Sequence, residues 1–161
     1  MEKLIKGLII LLFALVIFGR GYFPNDALYW GTYLFMFVLV FLLWFASYWV
    51  SKKKAEEILG KKPDFDIFVG KVASDVNADL QRGRLCFCDG KITLIAKTKG
   101  KYSKAWEMPI SEVESVGFGT VVGWRKGFNL HTKEGTIGFT SVKIKNHKQE
   151  LYKALGWKVT E

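Results

Sequence analysis

The side chains best suited to redox, metal or acid–base chemistry are few in this sequence: two cysteines and two histidines. Cys86 and Cys88 are separated by one residue, so an extended strand would place both on the same face. A zinc site needs more ligands than this pair supplies, and we interpret the pair as small hydrophobic residues. His131 and His147 are interpreted as ordinary edge or surface residues. The sequence therefore predicts a protein that is not an enzyme, with no catalytic residue, metal site or cofactor.

The most basic short segment lies between two predicted strands. Its four lysines are Lys97, Lys99, Lys101 and Lys104. A lysine close to an anionic bilayer contributes about 1 kcal/mol of attraction, whereas a solvated basic hairpin tip is the simpler alternative. We predict that this loop faces lipid headgroups.

A second basic feature combines an aromatic ring with two cations, Trp124 with Arg125 and Lys126. Tryptophan beside cationic side chains suits a membrane interface. Alternatively, Trp124 folds back onto the core, because tryptophan is highly buried on average. We predict a membrane-facing tip, which would act together with the lysine loop if both lay at one end of the domain.

Two apolar runs near the N-terminus would hold these surfaces at a bilayer. A helical span needs about 20 apolar residues, and we predict spans at about residues 4–23 and 27–50, the second without a charged residue. A signal peptide is the alternative for the first run, but no small-residue cleavage site follows it. Residues 1–50 are therefore predicted to form a two-helix transmembrane hairpin.

Basic residues flank the two predicted spans unequally. Lys3 and Lys6 lie at the first span, and only Arg20 lies near the connecting loop. The juxtamembrane basic residues after the second span are Lys52, Lys53 and Lys54. Because basic flanks are retained on the cytoplasmic side, both termini and the soluble domain are predicted to be cytoplasmic, in the plasma membrane or a prokaryotic inner membrane.

Residues 51–64 are predicted to be a basic helical stalk and linker that stops at Gly60 and Pro63. From Phe65 onward the apolar period becomes that of short strands. The seven predicted strands are Ile67–Ala73, Arg84–Cys88, Lys91–Ala96, Lys104–Met108, Val113–Gly119, Gly127–Thr132 and Thr136–Thr140. Asp89-Gly90 predicts a type I′ hairpin, and Lys133-Glu134-Gly135 predicts a tight turn.

The helical period returns near the C-terminus. Asn146 is predicted to cap the helix with Gln149 at the third position, and Gly156 is predicted to end it. Leu151 and Leu155 form its apolar stripe. The predicted fold class is a membrane protein with an N-terminal transmembrane α-hairpin and a small all-β barrel, of about seven antiparallel strands, capped by a C-terminal α-helix.

Three segments resemble the pleckstrin-homology-like superfamily, nearest its GRAM and bacterial versions. They are the Gly83-Arg84-Leu85 strand entry, the Pro-Ile-Ser-Glu-Val turn at 109–113 and the Thr-Lys-Glu-Gly hairpin at 132–135. The resemblance implies that residues 65–161 form a domain of this type. Many such domains bind anionic headgroups through the loop that corresponds to Lys97–Lys104.

The functional expectation combines these features. It is a membrane-anchored, non-enzymatic binding or scaffold protein whose domain engages the anionic leaflet, a protein partner, or both. The alternative is an accessory subunit of a membrane transporter or envelope complex. The expected partners are membrane lipids, with a membrane protein or a homo-oligomer as further candidates. Nucleic acid is not expected, because the net charge of +9 is accounted for by lysines facing a bilayer.

Overall fold

The computed structural model of this chain describes residues 2–19, 21, 23–72, 80–98 and 100–157, with side chains from residue 7 onward. The chain divides into two compact units, Met1–Trp49 and Val50–Glu161. The division differs from the predicted one, because the segment 51–64 belongs to the second unit.

The first unit is formed by two helices, α1 (Glu2–Phe18) and α2 (Asp26–Tyr48). The Asn25 Oδ1 caps α2 by accepting a hydrogen bond from the Leu28 N–H at 2.8 Å. Within the described residues, one helix, which begins at Asp26, is long and apolar enough to cross a membrane by length and composition. The apolar part of α1, Gly7–Phe18, is shorter, and α1 ends at Phe18, five residues before the end of the first predicted span.

The second unit begins with helix α3 (Lys52–Leu59), which ends at Gly60 in the left-handed conformation. Its strands are β1 (Phe65–Val72), β2 (Leu80–Cys88), β3 (Lys91–Thr98), β4 (Lys101–Pro109), β5 (Val113–Val122), β6 (Arg125–Thr132) and β7 (Gly135–Thr140). Each of them overlaps one of the seven predicted strands, and Ala73, the predicted end of the first strand, lies outside the described residues. Asp89 and Gly90 both have positive φ, at 52° and 69°, as the predicted type I′ turn requires.

The strands form one antiparallel sheet in the order β4-β3-β2-β1-β7-β6-β5. The predicted barrel is not closed, because β4 and β5 are the two edges and do not pair with each other. Trp106 and Phe139 lie four strand positions apart, which is about 19 Å across a flat sheet, yet their ring centroids are 5.7 Å apart. The sheet therefore curls until its halves pack against each other.

The main core lies inside this curl. It includes Leu85, Phe87, Phe128 and Phe139, all fully buried. The core is completed by helix α4 (Lys148–Ala154), which is preceded by a short 3₁₀ turn, Ile144–His147. The predicted cap at Asn146 is wrong, because Asn146 lies inside that turn, where its N–H donates to the Lys143 carbonyl at 3.1 Å, and α4 starts two residues later.

A second, smaller cluster lies on the outer face of the sheet. Val50 and Ala55 from the α3 segment pack there with Cys86 of β2 and Ile95 of β3. The predicted stalk is therefore packed on the sheet. Both clusters are composed of residues from the second unit alone, so we expect residues 50–161 to fold without α1 and α2.

Candidate functional site

A buried arginine side chain connects the first residues of the second unit to the sheet. Arg84 of β2 has 6% of its surface exposed, and its Nε–H donates to the Val50 carbonyl at 2.9 Å. Its guanidinium also pairs with Asp66 of β1, and the other carboxylate oxygen of Asp66 lies 3.3 Å from the Lys52 Nζ. A buried charge is tolerated only when it is paired and hydrogen-bonded. This network therefore fixes the segment directly after α2 against the outer face of the sheet.

A tyrosine next to this network joins two groups of lysines. Lys54 Nζ of α3 lies 5.9 Å from the centre of the Tyr102 ring, and Lys97 Nζ of β3 lies 5.5 Å from it. Two cations on one aromatic ring are a favourable cation–π arrangement. The ring thus connects the juxtamembrane lysines with the β3–β4 hairpin.

We call the resulting basic area the entry surface. Its residues are Lys52, Lys53, Lys54, Lys97, Tyr102 and Lys104. Lys101 pairs with Thr98 at the tip of the hairpin and is exposed, but successive strand residues point to opposite faces, so it lies on the other face from Tyr102. Lys99, which was predicted as part of the same loop, lies outside the described residues. The entry surface brings together two features that the sequence showed only as separate segments.

Some of the predicted juxtamembrane and headgroup-facing lysines already have acidic neighbours. Lys54 Nζ lies 2.6 Å from Glu57, and Lys104 Nζ lies 3.6 Å from Glu107. The pKa of Glu107 is lowered below its usual value by a hydrogen bond from Lys91, which has the larger effect, and by one from Thr93. Exposed ion pairs contribute little stability, so these lysines can exchange a carboxylate for a phosphate. Lys104 is two residues from Tyr102 on β4 and pairs with Ile95, which lies on the outer face of the sheet, so it belongs to the entry surface.

The tryptophan tip stands at the turn between β5 and β6. Trp124 is 86% exposed and does not fold back onto the core. The guanidinium of Arg125 lies 5.9 Å from the centre of its ring, and Lys126 is exposed.

The strand register places this tip and the basic hairpin at opposite ends of the sheet. β3 runs toward the end where β1 stops at Val72. β7 pairs with β1 at Gly70 and Lys71. β6 pairs with β7 and runs from the level of that pairing toward the end of the sheet where β1 stops. The β5–β6 turn therefore lies at the other end. The tip and the basic loop therefore do not share one end of the domain, which their predicted joint action required.

The cysteines and histidines do not come together. Burial raises the pKa of the Cys86 thiol to about 12, with a further contribution from the Asp66 carboxylate, so the thiol is neutral at physiological pH. His131 Nδ1 lies 2.9 Å from the Thr136 hydroxyl, and His147 Nδ1 lies 2.6 Å from Glu150. In the part of the chain that is described, no three His, Cys, Asp or Glu residues form a group that could hold a metal.

Similarity to known proteins is found among solved structures. No protein-family model matches the sequence, and no curated protein is similar to it. Among solved structures, one similar chain is the C-terminal domain of an unknown protein from Leishmania infantum. It is 12% identical, with a TM-score of 0.48, over 65% of this chain and 93% of that one. A similarity of this size carries no inference about function.

Proposed function

We propose that this chain is a membrane-anchored, non-enzymatic binding or scaffold protein whose second unit is a pleckstrin-homology-like domain at the cytoplasmic leaflet. The entry surface contacts anionic headgroups, and a protein partner can share the domain. The anchoring part of the proposal is supported by α2, which is long and apolar enough to span a bilayer.

The observation that carries the proposal is the sharing of Tyr102 by Lys54 and Lys97. The second unit begins at Val50, directly after α2, so an anchored α2 would bring this surface to the membrane boundary. Lysines in that zone gain about 1 kcal/mol each from an anionic leaflet. Because the chain is already tethered, even weak headgroup binding would orient the domain.

The assignment to the pleckstrin-homology-like superfamily is supported by the order of elements. Seven antiparallel strands form a strongly curled sheet. The C-terminal helical segment completes its core by burying Leu151 and Leu155. That is the architecture which the sequence resemblance implies. The fold by itself does not define a ligand, so the lipid-facing role depends on the entry surface.

Purification of the full chain in mild detergent tests the function against its alternative. The proposal predicts that no other membrane protein is recovered in stoichiometric amount. Recovery of a stoichiometric transporter or envelope subunit would instead favour the accessory-subunit function, in which α1 and α2 pack against larger subunits.

The predicted topology can be tested by labelling single cysteines in sealed membranes. Asn25→Cys lies before α2 in the predicted external loop, and Thr98→Cys is an exposed site in the second unit. The native Cys86 and Cys88 are both buried and should react little. We expect Asn25→Cys to react only from outside and Thr98→Cys only from the cytoplasmic side. Labelling of Asn25→Cys from the cytoplasmic side alone would overturn the topology.

A further inference from the structure

The second unit has a small apolar protrusion that is distinct from the entry surface. Among its described residues, the exposed large hydrophobic side chains are Trp124 and Val142, with 86% and 99% of their surfaces exposed. Val142 follows β7, and no pattern in the sequence associates it with the β5–β6 turn. Large apolar side chains on a surface point to an interaction site when they are brought together.

A backbone hydrogen bond connects the two segments that carry these side chains. The Ser141 N–H donates to the Lys126 carbonyl at 3.0 Å, and the Ser141 hydroxyl donates to the Phe68 carbonyl at 3.2 Å. Val142 is the residue after Ser141, and Trp124 lies two residues before Lys126. The protrusion is therefore built from two neighbouring loops that are fixed to each other and to β1.

The charge around the protrusion has one sign. Residues 119–128 and 136–149 contain no aspartate or glutamate. Their exposed cations next to the two apolar side chains are Arg125, Lys126, Lys143 and Lys145. A purely cationic rim is complementary to a surface of uniform negative charge, and apolar side chains with such a rim are typical of segments that enter the headgroup region of a bilayer.

We propose that Trp124 and Val142 insert into the anionic leaflet in which the chain is anchored, with the four cations at its headgroups. This second membrane contact rests on the proposed function, because it assumes that the chain is membrane-anchored. We favour a leaflet over a protein partner because the rim contains no acidic group to match the mixed charge of a protein surface.

The contact has a geometric consequence for the orientation of the domain. The protrusion and the β3–β4 turn lie at opposite ends of the sheet. One flat leaflet can contact both only if the strands of the sheet run parallel to the membrane plane.

An environment-sensitive fluorophore at Val142 tests the insertion in the full chain. Val142→Cys carries the label, and Trp124 stays intact. Ser111→Cys, an exposed site on the connection between β4 and β5, is the matched control. The protein is reconstituted in phosphatidylcholine vesicles with or without phosphatidylglycerol. We expect blue-shifted emission and quenching by spin-labelled lipid for the Val142 label in anionic vesicles only. The added substitution Trp124→Ala should reduce both effects.

Three outcomes would overturn the insertion. The first is equal emission of the Val142 and Ser111 labels in anionic vesicles, and the second is a Val142 signal that ignores Trp124→Ala. The third is a Val142 label that is shielded in native membranes but exposed to water in pure lipid, which would indicate a protein partner. Failure of the entry surface would give a different result. Lys97→Gln with Lys104→Gln would then leave headgroup binding unchanged, while the Val142 label would still report insertion.

Discussion

Replacing Arg84 with methionine is expected to lower the free energy of unfolding of residues 50–161 by about 3–5 kcal/mol. The substitution leaves Asp66, whose side chain is largely buried, paired with Lys52, which is itself mostly exposed. It also removes the donor to the Val50 carbonyl, so a buried acceptor loses its hydrogen bond. Urea denaturation of the fragment measures the change.

Two further variants separate the ion pair from a general effect of substitution. Lys104→Met removes an exposed cation and should change the free energy of unfolding by less than about 0.5 kcal/mol. Arg84→Met combined with Asp66→Leu should recover most of the loss, since both buried charges are then absent. A loss below about 1 kcal/mol for Arg84→Met alone would contradict a structural role for this network.

Leu151→Ala is expected to destabilise the same fragment by about 2–5 kcal/mol. Leu151 is fully buried in α4 within the main core, and truncation leaves a cavity that the curled sheet cannot fill. Thermal or urea unfolding provides the measurement.

The matched control for Leu151 lies on the same helix. Gln149 is exposed, so Gln149→Ala should change the free energy of unfolding by less than about 0.5 kcal/mol. If Leu151→Ala were equally silent, α4 would not complete the core of the curled sheet.

Local patterns in the sequence predict most of the secondary structure of the second unit. Alternating apolar residues place the seven strands, and Asp89-Gly90 specifies its hairpin because both residues tolerate positive φ. Leu85, Phe87 and Phe139 are apolar residues of the predicted strands, and all three are fully buried. These features depend on neighbours along the chain.

Contacts between distant segments were not predictable in the same way. Arg84 pairs with Asp66 and Val50, yet in the sequence it is one of several basic residues on a strand. In the sequence Val142 is an isolated hydrophobic residue, and the hydrogen bond from Ser141 to Lys126 is what places it beside the β5–β6 turn. The open edge between β4 and β5 depends on sheet curl, which the strand pattern does not specify. The entry surface likewise requires α3 to pack on the sheet.

Binding of residues 50–161 to phosphatidylglycerol vesicles in a sedimentation assay tests most directly that the entry surface engages an anionic leaflet. We expect weak binding that falls steeply as salt rises, because screening shortens from about 8 Å at physiological ionic strength to about 3 Å at 1 M. Lys97→Gln with Lys104→Gln should weaken binding roughly ten- to thirtyfold, at about 1 kcal/mol per lysine. The charge-matched control Lys62→Gln with Lys153→Gln should weaken it much less. Binding that ignores salt, or that falls equally in both double variants, would contradict the entry surface as the lipid-facing site.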